Sequence, residues 1–449
     1  MTRLVLDRSA RVLGGGRALL GGSPLKLFRL TAPGARVVER IRAGADLGPE
    51  HAALIDRLLD AGAVHPLPSP GTGPSPADVT LVVPVRDVSA QHLAELVETS
   101  GVSRVVIVDD ASSVALDPVV GAEVVRLASN RGPGGARNAG LLRVTTPLVA
   151  FLDADTVPAP GWLDAVLPHF GDERVGLVAP RTSSTPAGTV IARYEQWRSP
   201  LDLGPEPARV RAGTRVSYVP AAAMVVRRRA LVEVGGFDDG LRFGEDVDLV
   251  WRLDEAEWRV RYEPRSVVHH APRSTLRGWL RQRVDYGSAA APLETRHPGA
   301  VTPVRINRWS AITWSLGAAS PPLGVAVGAA TTVALARKLH DVEHPWQLAG
   351  RLAGLGHLHA GRILASAITR AWFPCALVAA MLSRRARRVV VLSALLPPVM
   401  EWIRDRPDLD LAHALPLRIA DDVAYGAGVW RGMARERSLA AIRPHLSAG

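Results

Sequence analysis

The segment FLDAD, Phe151 to Asp155, carries an apolar run straight into two carboxylates. In extended backbone, residues i and i+2 face the same side, so Asp153 and Asp155 can converge on one hard cation. Mg2+ or Mn2+ takes such oxygen ligands and commonly bridges substrate phosphates. A turn in which each aspartate bonds its own backbone is the simpler reading of the same residues. The prolines that follow, Pro158 and Pro160, disfavour a helix there.

Three further stretches carry chemistry. In NRGPGGARNAGL, Asn130 to Leu141, glycines allow close backbone approach, and Arg131 and Arg137 are candidate phosphate donors. The stretch is neither a Walker A loop nor a clean GxGxxG, and a plain strand-to-helix turn explains it equally. In GFDDGLRFGEDVDLVWRL, Gly236 to Leu253, Glu245, Asp246 and Asp248 precede a helical pattern. Carboxylates there favour the helix dipole, and an ionised Asp246 in a cleft can also take a proton from a hydroxyl. His269 and His270 end another β-like run. A His pair is usually structural, but beside a carboxylate-bound cation one imidazole completes a coordination shell.

The elements that position these residues follow from periodicity. VTLVVPV from Val79, RVVIVDD and AEVVRLA are strand-like, and AQHLAELVETS between the first two is helical. Strands alternating with helices predict an α/β fold on a parallel sheet, with ligands at the carboxyl ends of the strands. Asp109, Asp110, Asp153 and Asp155 fall at those ends. Residues 1–66 read as a small winged-helix-like β/α domain and 67–78, rich in Pro, Gly and Ser, as a linker. Residues 79–300 form the α/β domain and 301–449 a helical apolar region.

Ala311 to Ala336 runs 26 residues without a charge, long enough to cross a bilayer. Ala371 to Ser383 and Val389 to Met400 are shorter, with the cluster RRARR between them. With 54 Lys plus Arg against 43 Asp plus Glu, of which only Lys26 and Lys338 are lysines, the chain suits phosphates or an anionic membrane surface. No zinc finger, RNP motif or heptad-backed basic region is present, so nucleic acid is not expected as a partner. The single cysteine, Cys375, excludes an intrachain disulfide framework and fits the cytoplasm or the cytoplasmic face of the cell membrane.

In this order the motifs VVPVRD, VVIVDDAS, NRGPGGARNAG, FLDAD and GEDVDLVWRL resemble the family 2 glycosyltransferases of the GT-A fold, a Rossmann-like nucleotide-sugar-binding domain, over roughly Val79 to His270. The resemblance implies that Asp155 is the principal ligand of Mg2+ or Mn2+, that His270 is a further metal ligand, and that Asp246 is the catalytic base. It implies substrate contacts from Pro84, Val85, Arg86, Asp110, Arg137, Asp153, Ala154, Glu245 and Trp251, with Pro84 and Asp110 at the uridine. Arg86-Asp87 departs from the Tyr-Asn frequent in the family. SPLDLGPEPARVRAGTRVSYVPAAAMVVRR and YGSAAAPLETRHPGA are similar to a subfamily that glycosylates a peptide-derived redox cofactor. That likeness implies UDP-glucose as donor, a β-1,4-linked glucose chain as product, and a peptide-recognising role for residues 1–66. A lipid-linked or polysaccharide acceptor is the alternative.

Overall fold

The computed structural model describes residues 3–273 and 275–447. By its contacts the chain divides into two units, one of residues 1–186 and 198–272, the other of 187–197 and 273–449. The second unit therefore begins at Arg273, whereas composition alone marks a change near residue 301. The reason is local: Gly287 of helix Leu276–Ser288 lies against the backbone of Tyr425 and Val429, so this helix belongs with the C-terminal ones.

The first unit opens with four short strands, β1 (Arg3–Leu6), β2 (Arg11–Leu13), β3 (Ala18–Gly21) and β4 (Lys26–Arg29). Helices α1 (Ala32–Arg42) and α2 (Ala52–Asp60) follow, then β5 (Val64–Leu67). Strands β2, β3 and β4 form an antiparallel sheet, and β5 returns to pair with β1. This β/α unit closes on its own core of Leu19, Phe28, Val38, Leu58 and Val64. It is fastened to the rest of the first unit by charge. Arg259 donates to Asp56 and Asp60 of α2, each at 2.9 Å, and to Asp172 at 2.8 Å.

The main sheet has nine strands. Strands β6 (Val79–Val85), β7 (Arg104–Asp109), β8 (Ala122–Arg126) and β9 (Leu148–Leu152) are mutually parallel where they pair. Helix α3 (Ala90–Thr99) links β6 to β7, and α4 (Gly132–Leu141) links β8 to β9. Beyond β9 the sheet becomes mixed. It continues through β10 (Thr156–Pro158), β11 (Val175–Ser184), β12 (Ala208–Arg209), β13 (Ala223–Arg227) and β14 (Arg259–His270). The order is β10-β14-β11-β13-β9-β6-β7-β8, and β13 runs antiparallel to both neighbours. β11 and β14 pair parallel to each other and run with β6–β9, so the expectation of a parallel sheet fails at β10, β12 and β13; an antiparallel strand is as apolar as a parallel one when both faces are covered. From β6 the chain proceeds to β7 on one side and returns to β9 on the other, which opens a crevice at the carboxyl ends.

Helix α4 lies close on that sheet because it is nearly all small residues. A Cβ at Gly140 would stand 2.4 Å from Val82 Cγ1 and 3.1 Å from Val108 Cγ2, both buried in the sheet. Two more helices complete the first unit, α6 (Arg228–Glu233) and α7 (Glu245–Glu255); α5 (Val190–Arg198) lies almost wholly in the second.

The second unit is helical: α8 (Leu276–Ser288), α9 (Ala290–Arg296), α10 (Arg308–Ala319), α11 (Pro321–Lys338), α12 (Pro345–Thr369), α13 (Phe373–Leu382), α14 (Arg384–Asp405) and α15 (Leu411–Glu436). The 26-residue uncharged run does not make one helix. Pro321 and Pro322 restart the chain after Ser320, which is extended at φ −152 and ψ 106. No single helix among the described residues is long and apolar enough to cross a membrane; α12 and α13 pass only as a pair bent by 87°.

Gly140→Ala is expected to overpack the α4–sheet contact and destabilise the first unit by about 1–3 kcal/mol, without the backbone strain of a left-handed glycine. A lowered midpoint in thermal or urea unfolding checks this.

Candidate active site

The Asp153–Asp155 turn is built from its own sequence. Thr156 is fully buried, and its N–H and hydroxyl both donate to the Asp153 carbonyl, at 3.1 and 2.6 Å. The chain then pairs as β10 against β14, with Thr156 opposite His270, as the prolines require. The Ala271 N–H donates to the Asp155 carbonyl at 3.1 Å. This pairing places His270 Nε2 3.4 Å from Asp155 Oδ1. His269, on the other face of the strand, meets the Ser183 hydroxyl through Nδ1 at 3.0 Å. His270 is thus the imidazole beside the acidic turn.

Asp153 has a different partner. Arg137, 2% exposed on α4, donates to Asp153 Oδ1 at 2.6 Å and to Glu245 Oε1 at 2.9 Å, with its guanidinium 5.3 Å from the Phe237 ring centre. Burial opposes the charge on Arg137, but the two carboxylates outweigh it and raise its pKa. The terminal nitrogens of Arg137, expected near the nucleotide, thus face the carboxylates of Asp153 and Glu245. Glu245, only 7% exposed, is paired with Arg137. Burial, then repulsion from Asp246, lift its carboxyl to about 7 in spite of Arg137.

Asp246 follows at the start of α7. Gly244 reaches the left-handed conformation there, at φ 80, and lets the chain turn into the helix. Asp246 is half-buried; Oδ2 accepts from the Ala221 N–H at 3.1 Å and Oδ1 from the Val247 N–H at 2.8 Å. Burial raises its pKa, and these two donors only partly counter that. The neighbouring Ala222 carbonyl accepts from the Asp153 N–H at 3.0 Å. Two consecutive alanines therefore tie the acidic turn and Asp246 to one piece of backbone. Asp248 turns away, salt-bridged to Arg252 at 2.7 Å.

The remaining expected residues divide. Asp110 is 5% exposed at the end of β7 and accepts from Asn130 Nδ2, Arg131 N–H and Gly132 N–H at 2.6 to 2.9 Å, so it caps α4. Its own N–H bonds the carbonyl of Val85, which is buried, while Pro84 is half-buried. Arg86 is exposed, next to Asp87, whose carboxylate accepts from the Ser113 N–H and hydroxyl. Ala154 offers its carbonyl to His92 Nε2 of α3 at 2.7 Å. Trp251 is 5% exposed and donates its indole N–H to the Ser217 carbonyl at 2.8 Å. That bond packs α7 against the loop of Ser217.

Sequence reasoning missed His92, the Ala221–Ala222 link and a latch on the loop before α7. In that latch Asn138 and Arg131 hold Asp239, and Arg242 donates to Asn130 at 2.6 Å. None has a local pattern; each bond spans dozens of residues.

Among the described residues no group of three or more His, Cys, Asp or Glu is placed to hold a metal ion. The pair Asp155 and His270 still fits Mg2+ or Mn2+. Its carboxylate is 38% exposed, and such ions keep open positions for phosphate oxygens and water.

A mixed, mainly parallel sheet with an acidic turn and a second carboxylate at its crevice fits the GT-A glycosyltransferase fold, and the chain belongs to glycosyl transferase family 2, whose model matches residues 80–235. It is 43% identical to the pre-mycofactocin glycosyltransferase of Mycobacterium tuberculosis, over 98% of its own length and 97% of that relative's. The expected likeness to that glycosyltransferase subfamily is thereby borne out. A succinoglycan biosynthesis protein, ExoU of Rhizobium meliloti, is 29% identical over 40% of this chain and 58% of its own. A Pyrobaculum calidifontis mannosyltransferase solved with GDP-Man and Mn2+ aligns with 76% of this chain and 90% of its own, at 19% identity and a TM-score of 0.37.

Arg137→Met should cost about 3–5 kcal/mol, because it leaves the buried Glu245 and the partly buried Asp153 without their cation. Adding Glu245→Gln should recover part of the loss, read by urea unfolding. Glu245 also sets a pH slope. Between its ordinary 4.5 and about 7 the folded chain keeps a proton that the unfolded chain has released. Its contribution to stability is full below about pH 4.5 and is lost as pH rises towards 7; Glu245→Gln should flatten that slope in melting curves.

Proposed function

We propose that the chain transfers glucose from UDP-glucose, with inversion, to mycofactocin or its precursor, a peptide-derived redox cofactor, and extends a β-1,4-linked chain. The observation that carries this reading is the shared backbone frame: Asp155 with His270 on one side, Asp246 on the other, joined through Ala221 and Ala222. Likeness to the M. tuberculosis relative along its whole length supports the acceptor.

In this reading Asp155 and His270 hold the Mg2+ or Mn2+. When bound, the ion neutralises charge on the leaving diphosphate. Asp246 accepts the proton of the acceptor hydroxyl as its oxygen bonds to the anomeric carbon. The bond from that carbon to the diphosphate oxygen breaks on the opposite face, and UDP leaves with the electron pair. A carboxyl pKa raised by burial makes Asp246 a better base than an exposed aspartate. Arg137 and Glu245 keep Asp153 from competing for the ion. Pro84 and Asp110 line the uridine, and Arg86 lies at the rim. Residues 1–66, anchored through Arg259, recognise the peptide part of the acceptor. Attachment to the cytoplasmic face of a membrane belongs to the same reading, supported by the exposed apolar helices of the second unit.

Asp246→Asn should lower glucose transfer by at least about a hundredfold while UDP binding persists. Asp155→Asn and His270→Ala should instead weaken Mn2+ binding, measured by calorimetry in the presence of UDP. Mass spectrometry of products formed from UDP-glucose checks the acceptor. A hexose added to a lipid-linked acceptor and not to the peptide-derived one would replace this assignment.

A further inference from the structure

Helices α13 and α14 present apolar side chains that nothing in the second unit covers. On α13, Leu377, Met381 and Leu382 are 47%, 77% and 84% exposed; on α14, Leu392, Leu396 and Met400 are 59%, 54% and 46% exposed. A spacing of four residues puts Leu377 with Met381 on α13, and Leu392, Leu396 and Met400 on α14, on one stripe of each helix, with Leu382 beside Met381 at the end of α13. Between the stripes, Arg384, Arg385, Arg387 and Arg388 fill the first turns of α14, all exposed and none with a carboxylate partner among the described residues. Positive charge at a helix N-terminus opposes the helix dipole, so the helix itself does not account for these arginines. The surroundings are equally one-sided: residues 344–400 contain seven arginines and no acid.

The charge pattern selects the occupant. A second copy of this chain docking on itself would set two arginine clusters face to face. A surface dense in phosphates satisfies the arginines and the apolar stripes together. Depth is limited by length: ten-residue α13 is roughly 15 Å long, about half the hydrocarbon thickness of a bilayer. We propose that α13 and α14 lie in the plane of an anionic lipid bilayer, their apolar stripes in the acyl boundary and the four arginines on lipid phosphates. This deepens the membrane attachment named above and is independent of the donor and acceptor assignment.

Flotation of the full-length chain with vesicles tests it. Binding is expected to phosphatidylcholine vesicles containing phosphatidylglycerol, to weaken in high salt, and to be slight on phosphatidylcholine alone. Replacing Arg384, Arg385, Arg387 and Arg388 by Gln should weaken partitioning on the order of a hundredfold or more. Leu377, Met381 and Leu382 changed to Ser should weaken it at low salt too. UDP binding, unchanged in every variant, shows that the first unit remains folded and keeps this test separate from the transferase reading. Equal binding to neutral and anionic vesicles, or wild-type binding by the arginine variant, would overturn the proposal. So would self-association through this surface in place of vesicle binding. The salt series on the unmodified protein decides the matter even if a variant misfolds.

Discussion

One buried cation, the Arg137 guanidinium, holds the acidic turn after β9 to the acidic start of α7. In a poorly solvated crevice Asp153, Glu245 and Asp246 would repel one another, and burial raises the pKa of Glu245 and Asp246. Arg137 bonds both Asp153 and Glu245, while its own Nε is left without a partner. The consequence is a division of labour in the turn. Asp153 faces inward to a permanent positive charge; Asp155, two residues on, stands partly exposed beside His270.

The rest of the first unit serves that arrangement. Small residues let α4 sit close enough to the sheet to bring Arg137 beneath the turn. Asp110 caps the same helix at its start, and the latch from Asn138 and Arg131 to Asp239 fixes the loop that leads into Asp246. Strand β14 is the common rail. Its first residue, Arg259, carries the N-terminal β/α unit, and its last, His270, stands beside Asp155.

Much of this was legible in the sequence because it is local. Near-continuous β-branched runs marked β6 and β7, and the position of the Asp pairs after apolar runs marked the crevice. The prolines foretold that the turn would not become helix. What escaped was set by distance. Nothing near Arg137 announces Glu245, 108 residues on, so its type suggested a phosphate ligand. The bond from Trp251 to the Ser217 carbonyl, 34 residues away, is equally non-local. The direction of β13 was hidden because a covered strand reads the same either way, and the long apolar run concealed a break that only two prolines record.

The most direct measurement is the anomalous scattering of manganese in crystals grown with UDP. The account requires one peak within coordination distance of Asp155 and His270, with Asp153 still paired to Arg137. A peak elsewhere, or Asp153 released from Arg137 to bind the ion, would contradict it.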